Sequence, residues 1–288
     1  MNIPRPEGFV VDELAGDYAS GDCVHFTLKK TNWTTINAIN ALARVLNVNV
    51  SRFGYAGLKD KNAVTTQRVS AWRVPIARLE KIKIDGVSLS DFTSGKERIR
   101  IGTHAGNKFT ITILGVDFNK LREPVNVPNL FGAQRFGGSE LLGKALLDGD
   151  YKGAVNLMSW GDYERRVFDY LKKNQGDYLG ALRTVDKRIR VLWVNAWQAF
   201  LWNKNIDVSV PMQDLKNYDG VDGMPELGVF NGFSRATVMK VTNYKAVNLA
   251  DGVKLSFMLD KGSYATTLID FVMGHIKNEL LVGDLDGD

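Results

Sequence analysis

The stretch Phe53-Gly54-Tyr55-Ala56-Gly57-Leu58-Lys59-Asp60-Lys61-Asn62-Ala63-Val64-Thr65-Thr66-Gln67 decides how this chain is read. Two glycines close together let the backbone turn tightly and let a ligand approach the main chain. One acid, Asp60, sits between Lys59 and Lys61, and flanking cations keep a carboxylate ionised beside an anionic ligand. Val50 to Tyr55 and Val64 to Val74 read as strands, which places Asp60 at the exposed end of a sheet. Taken alone, a Lys-Asp-Lys turn is more often a solvated loop whose Asp caps the next element.

Outward from this stretch, residues 22 to 30 alternate as a strand. Thr34 or Thr35 then caps a predicted helix whose apolar positions are Ile36, Ile39, Leu42, Val45 and Leu46, ending at Asn47. Lys108 to Val116 and Lys254 to Leu259 show strand alternation, and Thr266 to Leu281 reads as a helix with Ile269, Val272 and Ile276 on one stripe. Residues 139–231 differ in character. They carry helical patterns at Glu140 to Leu147, Tyr163 to Lys173 and Trp193 to Asn203, and their charges nearly cancel. This is the pattern of a module inserted between residues 1–138 and 232–288. Trp193, Trp197 and Trp202 suggest a stacking platform, but spacings of four and five residues favour the module's own core.

Six stretches in order carry a resemblance. They are Pro6 to Glu13, Lys30 to Thr35, the Asp60 motif, Gly106 to Phe109, Pro128 to Gly137 and Lys261 to Thr266. Together they resemble the TruD family of tRNA pseudouridine synthases, whose elements read like PEDF-V-E, K-N-TT, GYAGLKDK-AVTTQ, GN-F, PNYFG-QRFG and KGSYAT. The resemblance implies an α+β catalytic domain on a mixed, mainly antiparallel sheet, interrupted after the QRFG element by a small inserted domain, with the cleft between the two. The family's insert is usually larger, so residues 139–231 resemble a pared-down version.

Composition bounds the function. The chain has 288 residues and 44% hydrophobic content, enough for one large domain or two smaller ones with a sizeable core. It has no run of about 18 apolar residues to cross a membrane, and Met1 to Gly8 has no apolar stretch of the kind a secretory signal needs. Cys23 is the only cysteine, so an internal disulfide or a Cys-rich zinc site is impossible, and the expected setting is a reducing cytoplasm. His25, His104 and His275 lie far apart without ligand spacing, which argues against a catalytic metal. No phosphate-binding glycine loop, dinucleotide fingerprint or serine-esterase elbow is present. The net charge of +5 is uneven: residues 52–108 hold twelve Lys or Arg against five Asp or Glu. Positive charge gathered around Asp60 suits a polyphosphate ligand, although a solubilising lysine surface is common.

Isomerising uridine to pseudouridine requires breaking the bond from ribose C1′ to N1, rotating the held uracil and joining C5 to C1′. No electron, phosphate or cofactor is exchanged, and a carboxylate can serve as covalent partner. The resemblance gives that role to Asp60 and points to uridine 13 of tRNA, with no cofactor, no metal and no obligatory protein partner. A paired base must be flipped out and held by stacking and edge contacts. By resemblance Phe9, Phe109 and Tyr264 line the pocket and Asn107 hydrogen-bonds near the uracil or the nucleophile. Periodicity alone makes Phe9 and Phe109 core residues and Tyr264 a cap on the last helix. Lys59, Lys61, Arg135 and Arg68 are candidates for phosphate, with an internal salt bridge about equally expected for each arginine. The family usually carries a basic residue a few positions before the PED-F element, where this chain has Ile3 and Pro4, so either Arg5 takes that place beside Asp60 or another cation does, Lys59 and Lys61 being candidates. A binding protein or tRNA chaperone that retained the fold without turnover is the alternative.

Overall fold

A computed structural model describes residues 2–158 and 162–276. The chain runs through β1 (Phe9–Leu14), β2 (Ser20–Thr31), α1 (Thr35–Val45), β3 (Phe53–Tyr55), β4 (Val64–Trp72), α2 (Ile76–Leu79), β5 (Val87–Lys96) and β6 (Gly106–Leu114). There follow α3 (Glu140–Leu147), α4 (Tyr151–Asn156), α5 (Asp162–Lys173), α6 (Tyr178–Arg183), α7 (Lys187–Asn205), β7 (Met212–Asp214), β8 (Ser234–Ala236), β9 (Val241–Leu249), β10 (Gly252–Asp260) and α8 (Ala265–Val272). Two compact units emerge. One extends to Pro124 and resumes over Lys240–Ala265; the other spans Val125–Met239 and takes in the described residues from Thr266 on.

The first unit is the expected α+β domain. Its sheet runs in the order β5-β2-β4-β1-β6-β10-β9, with β3 added against β4. Every neighbouring pair is antiparallel except β1 with β4. Helix α1 covers part of one face. The Thr34 side chain accepts from Asn37 N at 3.1 Å and starts the helix, and Asn47, at a φ of 49°, turns the chain out of it. The buried stripe is Thr35, Ala38, Ile39, Leu42 and Ala43, packed on Phe26, Leu28, Val69 and Ala71 of the strands. Ile36 and Val45, expected on that stripe, are exposed, because the small alanines at 38 and 43 set which side approaches the sheet.

The second unit is mainly helical, with a two-stranded β7–β8 sheet. Trp193 and Trp202 are buried in it, and Trp197 stacks on Phe200 at a centroid distance of 5.3 Å. Helix α7 begins well ahead of Trp193 because the Asp186 side chain accepts from Arg188 N at 2.7 Å. The unit is wider than residues 139–231: Pro128 bridges Val238, and Met239 N donates to Val127 O at 2.8 Å, tying flanking segments together. The C-terminal helix stops at Val272, near Gly274 at a φ of 73°; residues 277–281 of the predicted helix lie outside the described residues.

Candidate active site

Strand register gathers the polar residues. Antiparallel β1 and β6 set Glu13 opposite Asn107, and parallel β1 and β4 set Val11 beside Thr65. Antiparallel β2 and β4 set Lys30 opposite Thr65 and Leu28 opposite Gln67. Directly paired residues share a face and alternate residues return to it, so Glu13, Asn107, Lys30, Thr65 and Gln67 all project on the face where Phe9 and Phe109 lie. A polar group buried on such a face must find a partner. Lys30, Gln67, Asn107 and Glu13 find theirs in the loop carrying Asp60, whereas the buried Thr65 hydroxyl has no hydrogen-bond partner among the described residues.

That loop is held at several points along its backbone. Gln67 Nε2 donates to Gly57 O at 3.1 Å. Thr35 Oγ1 accepts from Lys59 N at 3.0 Å and donates to Gln67 Oε1 at 2.8 Å. Arg5 donates to Asn62 O at 2.7 Å, and Gly102 N donates to Ala56 O at 2.7 Å. Beneath it lies Lys30, with no solvent exposure, whose ammonium donates to Trp33 O at 2.6 Å, Asp60 O at 2.8 Å and Lys59 O at 3.4 Å. Burial drives the Lys30 pKa down to about 8, against the opposing attraction of Asp60. Asp60 is half-buried, and among the described residues none hydrogen-bonds or ion-pairs with its carboxylate. A solvated Lys-Asp-Lys turn would have none of this backbone fixation.

The two flanking lysines are treated differently. Lys61 is exposed, as phosphate contact requires. The Lys59 side chain is turned inward, only 6% exposed; its Nζ lies 2.7 Å from Glu13 Oε2 and donates to Asn107 Oδ1 at 2.7 Å. The Glu13 side chain is itself fully buried and also accepts from Arg68 N at 3.1 Å. Asn107 is thereby oriented by Lys59, its carbonyl oxygen engaged. Arg5 lies over the Phe9 ring at 4.0 Å from its centroid. Phe9 meets Phe109 edge-on at 6.4 Å, and Phe109 stacks on Phe257 at 5.4 Å. Phe9 and Phe109 are therefore buried members of an aromatic row beneath the site. Tyr264, half-buried, follows β10, whose Leu259 pairs with Asn107.

Arg135 belongs to the second unit, in the short turn Ala133–Arg135, with its Nε buried. Arg68 is a strut: it donates to Thr27 Oγ1 at 3.0 Å and to Asp91 O at 2.9 Å, joining β4 to β2 and β5. The sequence reading did not assign Lys30, Glu13, Thr35, Gln67 or His104 to the site, although the first four stand inside the quoted stretches. The His104 ring approaches Gly57, its Cε1 3.5 Å from where a Cβ on that glycine would stand. Burial, and then the charge of Lys59, keep the imidazole pKa below its ordinary value. Among the described residues no three His, Cys, Asp or Glu side chains gather as a metal site, and no helix is long and apolar enough to cross a membrane.

The sequence profile of the family described as tRNA pseudouridine synthase D (TruD) matches residues 4–161 and 159–213, more than half the chain. The chain belongs to the TruD family. Among relatives, "Probable tRNA pseudouridine synthase D" of Methanococcus vannielii is 27% identical over 94% of each chain. The tRNA pseudouridine synthase D of Geobacter metallireducens is 30% identical over 72% of this chain and 63% of its own. A crystal structure assigned to TruD from Methanosarcina mazei superposes with a TM-score of 0.71 at 21% identity, covering 95% of this chain and 93% of that one, which bears on the fold.

Proposed function

We propose that this TruD protein isomerises uridine 13 of tRNA to pseudouridine, with Asp60 as the covalent partner and without metal or cofactor. The observation that carries the reading is the Asp60 loop. Its backbone is fixed by Lys30, Thr35, Gln67 and Arg5 while its carboxylate stays unengaged. A nucleophile needs that combination, because positional freedom lost in folding need not be lost again on reaching the transition state. As the C1′–N1 bond breaks, Asp60 bonds the nucleoside while the uracil turns; C5 then joins C1′, Asp60 departs with its electron pair, and the proton lost from C5 is matched by one gained at N1. Asn107, oriented by Lys59, supplies its amide donors toward the base. Tyr264 borders the base, while Lys61 and Arg135 meet phosphates.

Purified protein should convert uridine 13 in an unmodified tRNA transcript, read as a carbodiimide-dependent stop of reverse transcription, with chelator present throughout. Asp60→Ala should abolish the stop while tRNA binding is kept. Conversion that survives in Asp60→Ala removes Asp60 from the mechanism, and conversion lost to chelator removes the metal-free claim. A binding protein would show no stop with either chain.

A further inference from the structure

Lys30 poses an energetic problem that its surroundings do not solve by themselves. A carbonyl group is satisfied by any neutral donor, yet the residue under the Asp60 loop is an ammonium with no solvent exposure. Among the described residues no carboxylate forms an ion pair with it, and its three protons go to the carbonyls of Trp33, Lys59 and Asp60. A buried charge without a contacting counter-ion is costly. The anion that attracts it is Asp60, and the nearby Lys59 opposes it. Lys59, for its part, is matched by Glu13, whereas Lys30 has no contacting carboxylate among the described residues and lies 2.8 Å from the Asp60 carbonyl.

We propose that Lys30 is a positioning residue of the isomerisation, fixing the Asp60 peptide through its carbonyl and holding a positive charge beneath the Asp60 loop. The cation expected beside the acid in this chain is then the lysine opposite Thr65 in β2, working from beneath the loop, while Arg5 holds Asn62 and Lys59 holds Asn107. Lys30 has no exposed surface to offer a phosphate, so its loss should act on turnover and leave tRNA affinity alone. The inference rests on Asp60 being the reactive group.

The test compares Lys30→Met, Lys30→Gln and Asp60→Asn with the wild-type chain by single-turnover conversion of a tRNA transcript, filter binding of the same transcript and circular dichroism. Both Lys30 variants should bind tRNA within about threefold of wild type while the single-turnover rate falls by about 100-fold, the scale of losing one preorganised polar group. Lys30→Gln keeps a neutral donor under the loop and decides the matter if Lys30→Met does not fold. A merely structural lysine would lower the amount of folded protein and leave the rate of the folded fraction unchanged. A rate within about threefold of wild type in folded Lys30→Gln overturns the inference, as does a loss that appears in affinity alone. Turnover surviving in Asp60→Asn would instead overturn the reading of Asp60.

Discussion

Replacing Glu13 by Gln tests whether Lys59 belongs to the framework or to the RNA. The Lys59 Nζ stands 2.7 Å from Glu13 Oε2, with the two side chains 6% and 0% exposed. At an effective dielectric near 20 that separation corresponds to roughly 6 kcal/mol of Coulombic attraction, against several kcal/mol for desolvating each ion. Glu13→Gln preserves shape but leaves a lysine buried without its carboxylate, which costs about 3–5 kcal/mol. Lys59→Met strands the Glu13 carboxylate at a similar cost. The double variant strands neither charge, so it should be less destabilised than the sum of the singles by about 2–3 kcal/mol. The assay is amide-exchange protection in β1 and β6 across a urea series, which reports the first unit directly. A coupling below about 0.5 kcal/mol refutes the buried pair. If Lys59 served phosphate, Lys59→Met would leave protection unchanged and weaken tRNA binding in a salt-dependent way.

Phe9, 2% exposed and packed edge-on against Phe109, should behave as a core residue: Phe9→Ala should cost about 3–5 kcal/mol, whereas Phe9→Leu keeps most of the volume and the single-turnover rate. Denaturant unfolding and the conversion assay check both, and a rate lost in a stable Phe9→Leu would make the ring part of the base pocket. Stability should also follow the titration of Lys30. Its folded-state pKa of about 8 lies below the ordinary 10.5, so between those values the folded chain has released a proton that the unfolded chain still holds. Stability relative to Lys30→Met should therefore rise from pH 8 toward pH 10.5, by up to about 3 kcal/mol. Paired unfolding curves at the two ends of that window measure it, and a difference that stays flat or falls contradicts the buried ammonium.

Much of the first unit was legible because its signals are local. The 22–30 alternation became β2, Thr34 capped α1, and the strands around the Asp60 loop formed on both sides of it. Other elements carried weaker signals. β5 and β9 are largely exposed, so their side chains lack a clear inward alternation, and β1 was read only as part of the Pro6 to Glu13 stretch. Register was hidden for a different reason. Lys30 reaches Asp60 across 30 positions, and Lys59 reaches Asn107 across 48, so no period along the chain connects them.

The residue types and their order already determined where the helix beside the Asp60 loop starts and which family the motifs belong to. These follow from turn chemistry, capping and short-range patterning, all contained within a few residues. Which way each charge points was decided only by packing. Lys59 and Lys61 flank the same aspartate, yet one is buried on Glu13 and Asn107 while the other faces solvent. A charge can be taken out of water only where the fold brings it a partner, and β1, β2 and β6 bring those partners together from distant parts of the chain.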